Sequence, residues 1–275
     1  MTYYFKGDCH GDFSWLKFWR TINPDEHAAF VLLGDAGLNF YLNKTDQRTK
    51  SIVVNCNVKV YCVHGNHEAR PQSLNYKREF IDEVGNYCYI DSYAPNNIFY
   101  LEDGLVYNFG GYECLVLGGA YSVDKWYRIL RAGYTEEHND PKATGWWADE
   151  QISPERRSQI LENCSGLKVD FILSHTCPLR YEPDDLFLSM IDQSKVDKSM
   201  EKWLDEVIDR VNWFILCFGH YHADRVEAPY VEQFYRDNAT IDSIYKRWVE
   251  YMTTGDIDWI IDGRPGWKDR GGKRG

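Results

Sequence analysis

Five short apolar stretches each stop at residues able to bind a metal ion or move a proton. Tyr3-Tyr4-Phe5-Lys6 runs into Gly7-Asp8-Cys9-His10, Ala29–Leu33 into Gly34-Asp35, and Val58–Val63 into His64-Gly65-Asn66-His67-Glu68. Val169–Leu173 runs into Ser174-His175, and Trp213–Phe218 into Gly219-His220-Tyr221-His222. A single Asp-x-His means little, because a lone histidine is more often a satisfied structural residue. Five such clusters, each directly after a strand-length run, point to one metal site. The donors are imidazole, carboxylate and amide without thiolate, which suits Mn, Fe, Zn or Co rather than Ca or a structural zinc–thiolate centre. They exceed what one ion needs. Two ions about 3.5–4 Å apart, sharing a carboxylate, would use them all.

The elements that position these residues follow from the same runs. Each is four to six residues rich in β-branched or aromatic side chains, as strands are. Helical patterns lie between them. Ser14–Arg20 is one, with Ser14 as N-cap; a second opens at Ser153-Pro154 and continues to about Asn163. Lys195–Val211 carries Val196, Met200, Trp203, Leu204, Val207, Ile208 and Val211 at helical spacing. Alternating strands and helices predict an α/β layered fold, in which ligands bind outside the carboxyl ends of strands. Leu105–Leu117, broken at Gly110-Gly111, reads as a hairpin and predicts a second sheet or an antiparallel edge.

The remaining segments carry less pattern. Residues 118–150 read as an aromatic, loop-like insertion with Tyr121, Trp126, Tyr127, Trp146 and Trp147, together with Lys125, Arg128 and Arg131. A segment of this length without periodicity is a candidate lid. Its arginines either face the site or pair with local acids such as Asp124, Glu136 and Glu137. A helical extension is predicted from about 229, and 264–275 read as a basic flexible tail. The expectation is a single domain over 1–260.

Composition limits the function. The chain has 275 residues, enough for one large domain. Against 31 Lys and Arg stand 42 Asp and Glu, a formal charge of −11 that argues against general adhesion to nucleic acid or anionic membrane. The start lacks a basic segment followed by an apolar one, so no secretory signal is expected. No apolar run is long enough to span a bilayer. The eight cysteines form no CxxC pair, and a reduced, cytoplasmic protein is the economical reading.

Taken in order, Asp-x-His, Gly-Asp, Gly-Asn-His-Glu, a lone strand-end His and Gly-His-x-His resemble the calcineurin-like metallophosphoesterase superfamily over Tyr3–His222. The resemblance implies a four-layer α/β/β/α sandwich of two mixed sheets flanked by helices, with the site at the loop edge of the sheets. It implies that Asp8, His10 and His222 bind one metal, that Asn66, His175 and His220 bind a second, and that Asp35 bridges both. It implies two divalent ions, manganese first, with Fe, Zn or Co as alternatives. His67 looks like the residue that protonates the leaving oxygen or stabilises the transition state. The implied reaction is hydrolysis of phosphate mono- or diesters by in-line attack of a metal-bridging hydroxide.

The chain departs from the serine/threonine phosphatase branch of that superfamily. Where the branch has Gly-Asp-x-x-Asp-Arg-Gly, this chain has Gly34-Asp35-Ala36-Gly37-Leu38-Asn39, and His64 stands where the branch has Arg. Two phosphate-clamping arginines and the carboxylate partner of His67 are thus missing from their usual places. Arg70, Arg128 and Arg131 are the candidate replacements. The expected substrate is a small phosphate ester or nucleotide, ahead of a phosphoprotein. The competing readings are a non-catalytic metal-binding scaffold, as in a retromer subunit of this fold, and a nuclease, which should show a basic groove.

Overall fold

Alternation along the first two apolar runs sends their side chains into two different cores. Tyr3, Phe5, Ala29, Val31 and Leu33 belong to one buried cluster. Ala28, Phe30 and Leu32 belong to another, together with Leu16, Trp19 and Val53. A period of two with both faces buried is the signature of a strand inside a layered sheet.

The structure is a computed structural model describing residues 1–228 and 230–255. Six strands come first: β1 (Thr2–Lys6), β2 (Ala28–Leu32), β3 (Lys59–Cys62), β4 (Lys77–Ile81), β5 (Asn86–Ile90) and β6 (Ile98–Leu101). Six more follow: β7 (Val106–Phe109), β8 (Tyr112–Leu117), β9 (Phe171–Ser174), β10 (Ile215–Phe218), β11 (Arg225–Ala228) and β12 (Val231–Gln233). β13 (Asn238–Thr240) then returns to the first sheet. The sheets run β13-β1-β2-β3-β6-β5-β4 and β11-β12-β10-β9-β8-β7. In the first, β1, β2, β3 and β6 are parallel neighbours and the rest antiparallel. In the second, β12, β10, β9 and β8 are parallel, with β11 and β7 antiparallel at the two edges.

The helices are α1 (Ser14–Ile22), α2 (Lys44–Asn55), α3 (Lys125–Arg131), α4 (Pro141–Thr144), α5 (Pro154–Cys164), α6 (Ser199–Arg210) and α7 (Ile241–Thr254). α1 and α2 cover the outer face of the first sheet through Leu16, Trp19 and Val53. α5 and α6 cover the second through Ile160, Cys164, Met200, Leu204 and Val207. Between the sheets lies the cluster of Tyr3 and Phe5, where Phe5, Val31 and Tyr61 meet Val116, Phe171 and Ile215. This is the four-layer α/β/β/α sandwich of two mixed sheets expected from the sequence. The hairpin at Gly110-Gly111 is β7–β8.

Several local expectations need correction. Ser14 is the first residue of α1, not its cap; the Asp12 carboxylate accepts the Ser14 N–H at 2.9 Å. α6 begins at Ser199 rather than Lys195, because the Asp197 carboxylate takes the Ser199 N–H at 2.8 Å and stops the helix there. The stretch from 229 is not one helix. β12 adds beside β10, β13 beside β1, and α7 starts only after Thr240 accepts the Ser243 N–H. Residues 118–150 are not wholly loop, since α3 and α4 lie within them. The tail at 264–275 lies outside the described residues. No described helix is long and apolar enough to cross a membrane.

Candidate metal centre

Because β1, β2 and β3 are parallel neighbours, and β9 and β10 likewise, their carboxyl ends open on shared edges. Asp8 and His10 follow β1, Asp35 follows β2, Asn66 and His67 follow β3, His175 follows β9, and His220 and His222 follow β10. Hydrogen bonds between these turns fix them. The Asp35 carbonyl accepts the N–H groups of Cys9 and His10 at 3.0 and 2.8 Å, and the His175 carbonyl accepts the Gly219 N–H at 3.0 Å.

The turns are tight at a cost. His10, Asp35, His220 and His222 all have positive φ, between 45° and 67°. Non-glycine residues rarely sit there, and such strain gathers where a site must be held in one geometry. Glycine is required beside them. A Cβ on Gly34, whose φ is +94°, would lie 2.0 Å from the His175 ring, and one on Gly65 would lie 2.0 Å from Asp35 Oδ1.

All seven expected ligands converge. Ligand atoms of Asp8, His10 and His222 lie within 4.8 Å of one another, as do those of Asp8, Asp35 and His175. His10 Nε2 and His222 Nε2 are 2.9 Å apart, and His222 Nε2 is 3.1 Å from Asp8 Oδ2. Asp35 presents Oδ2 to His10 Nε2 at 3.8 Å and Oδ1 to His175 Nε2 at 3.6 Å. His175 Nε2 meets Asn66 Oδ1 at 2.8 Å, and the His175 and His220 rings are 5.0 Å apart. Asp8 Oδ2 is buried with the His222 and His10 ring nitrogens at 3.1 and 3.7 Å. Buried carboxylates in a nest of imidazoles are a donor set that fits a cation.

The charges say the same. Burial would raise the Asp35 carboxyl, but the His175 and His67 imidazoles outweigh it and hold it well below the usual range. Burial works against charge on His175 too, yet the Asp35 and Asp8 carboxylates push it up to about 9. Its Nδ1 faces the Leu33 carbonyl at 2.8 Å and its Nε2 faces Asn66, so both ring nitrogens can donate. A metal entering at Nε2 must displace that proton, which makes metal affinity fall with acidity. Burial and the nearby His175 push His220 down to about 3, keeping it neutral and able to ligate.

His67 donates its backbone N–H to Asp35 Oδ1 at 2.8 Å, and its ring lies 5.6 Å from that of His10. Its Nδ1 is buried without a partner. Asp35, Asn66, His67, His220 and His222 all open into one cleft of about 350 Å³.

The three candidate arginines are not brought into this cleft. Arg70 donates to Asp103 Oδ2 and to the Asp149 carbonyl, both at 2.6 Å, and lines a separate hollow. Arg128 is held by Asp124 at 2.6 Å and the Gly145 carbonyl at 3.0 Å. Its charge still helps lower the His67 imidazole, after burial and against Asp35. Arg131 lies over the Tyr127 ring at 5.8 Å. Each guanidinium found a neighbour before it could reach the metal edge.

Sequence reading missed a polar chain behind Asn66. The Asn66 amide donates to Ser122 Oγ at 2.8 Å, and the Ser122 N–H donates to Glu150 Oε1 at 3.2 Å, all three residues being buried. With the amide nitrogen on Ser122, Oδ1 is turned toward His175 Nε2. Outer partners of ligands typically contribute about 10–100-fold to metal affinity. Ser122→Ala is therefore expected to weaken metal binding by about 10–100-fold if Asn66 is a ligand. Chelator competition with manganese checks it; unchanged affinity in a folded variant would remove Ser122 from this role. Also missed was the part of the cleft lining supplied by residues between 186 and 198. Its only signal was an apolar run, Leu186-Phe187-Leu188, with neither strand nor helix pattern.

Residues 1–224 match the calcineurin-like phosphoesterase family. No curated protein matches the chain. Among solved structures, a phosphopantetheinyl hydrolase from Mycobacterium tuberculosis is 13% identical, with a TM-score of 0.41 over 100% of this chain and 98% of that one.

Proposed function

Because this chain belongs to the calcineurin-like phosphoesterase family, a family of metal-dependent hydrolases, we propose that it hydrolyses small organic phosphate esters at a two-metal centre. The observation that carries the reading is the disposition of Asp35. One buried carboxylate turns one oxygen toward His10 and the other toward His175, so it faces both donor sets as a shared ligand can. Asp8, His10 and His222 would hold the first ion, and Asn66, His175 and His220 the second. Asp8 also reaches the second group. When bound, two divalent ions supply charge neutralisation at the phosphoryl oxygens and a water acidic enough to deprotonate near neutral pH.

The chain's own residues do the rest. Asp35 fixes the spacing of the two donor sets. The unpartnered His67 ring, tethered through its N–H to Asp35, is placed to give a proton or a hydrogen bond to the departing oxygen. The walls of the cleft hold the organic part of the ester. Manganese is the first metal to test. Eight buried cysteines without a disulfide fit a reducing, cytoplasmic setting.

The test is hydrolysis of p-nitrophenyl phosphate and bis-p-nitrophenyl phosphate by metal-stripped protein reconstituted with Mn, Fe, Zn, Co or Mg. Turnover that needs metal, with two ions bound per chain, is expected. A chain that binds two ions and hydrolyses neither ester, nor any wider set of phosphate esters, would favour a scaffold.

A further inference from the structure

The cleft beside the metal centre is poor in cations. Among the described residues lining it, Lys198 is the only Lys or Arg, and it is spoken for: its Nζ meets Glu182 Oε1 at 2.6 Å and lies over the Phe187 ring at 4.5 Å. The acids Asp124 and Glu201 line the same cleft. Glu201 is buried, with Oε1 taken by Thr176 and Oε2 without a partner. A phosphomonoester dianion is ordinarily clamped by bidentate arginine, and the arginines that sequence offered are tied elsewhere. A diester, with one charge, needs no such clamp.

The other property is an apolar wall continuous with the centre. Leu186, Leu188, Ile191 and Val196 line the cleft, together with Val123. Leu188 is 58% exposed. The wall lines the same cleft as His67 and His222, so a group esterified to a phosphate at the metals could rest against it.

Resting on the phosphoesterase reading, we propose that the substrate is a phosphodiester whose second esterified group is apolar and lies against the Leu186–Val196 wall. Hydrolysis adds the oxygen of water to phosphorus and breaks one P–O ester bond. One water proton ends on the departing alcohol, and the other passes to the product phosphate or to solvent.

The test uses three probes without a hydrolysable ester, titrated calorimetrically into manganese-loaded protein at a pH where phenylphosphonate carries two charges. Phenylphosphonate against methyl(phenyl)phosphinate changes the charge at a constant ring. Diphenylphosphinate then adds a second ring. The loss of one charge is expected to tighten binding, and the second ring to tighten it further by about tenfold, the scale of small changes in an apolar pocket. Ile191→Ser with Val196→Ser is expected to remove the gain from the second ring, as is Leu188→Ser, which alters an exposed position and spares folding. Phenylphosphonate binding as tightly as the phosphinates, or a second ring without effect, overturns the proposal. Hydrolysis of bis-p-nitrophenyl phosphate is read on the same samples. Selective binding without hydrolysis of any diester counts against the phosphoesterase reading and not against the ligand class of the cleft.

Discussion

Asp35→Asn is expected to lower kcat/KM by about 10³-fold or more and to cut bound metal from two ions to one or none. The substitution keeps the shape of the side chain. Asn can still accept the His67 N–H now taken by Oδ1, and the bonds from Cys9 and His10 go to the residue 35 carbonyl, which is unchanged. What disappears is the charge of a buried group, 1% exposed, that faces both donor sets. The metal-free protein offers an independent readout. His175 is raised from 6.5 to about 9 in the folded state, with the Asp35 carboxylate the largest of the causes that raise it. A raised folded pKa contributes stability below pH 6.5 that is lost as pH climbs through about 9. In Asp35→Asn that contribution shrinks, so the difference in melting temperature between wild type and variant should narrow as pH rises from 6.5 to 9. Full activity with two ions in Asp35→Asn would end the bridging role.

His67→Ala is expected to lower kcat by about 10²–10⁴-fold while both metals stay bound. His67 contributes its backbone N–H, not its ring, to the bond with Asp35, and alanine keeps that bond. The ring itself has an unpartnered Nδ1 and borders the cleft. A proton donor matters most when the leaving oxygen is basic. The loss should therefore be largest for an alkyl alcohol and smallest for p-nitrophenol, which departs as an anion. An equal loss across leaving groups would assign the ring to the phosphoryl oxygens instead. Loss of metal along with activity would show that the ring is structural.

The legible parts of this chain share a cause. β2, β9 and β10 are buried at every position and β1 and β3 at most of theirs, so each is a largely apolar run, visible without a structure. The edge hairpin β4–β5 escaped notice because Lys77-Arg78-Glu79-Phe80 is largely exposed and has no such run. β12 and β13 are three residues each and are strands only because β10 and β1 lie beside them. α6 lost its first turn to one Asp197 hydrogen bond, a choice that helical spacing cannot reveal.

Local order, an apolar run followed by a donor, predicted the α/β layering and a metal site, and the resemblance to the calcineurin-like superfamily added the four-layer sandwich and the expected ligand roles. Tertiary structure decided everything that depends on which distant group arrives first. It gave Arg70 to Asp103 and brought Ser122 behind Asn66. It set apolar residues between 186 and 196 into the same cleft as Val123. Those pairings join residues far apart in the chain, and their energies depend on burial and distance, quantities that exist only once the chain has closed on itself.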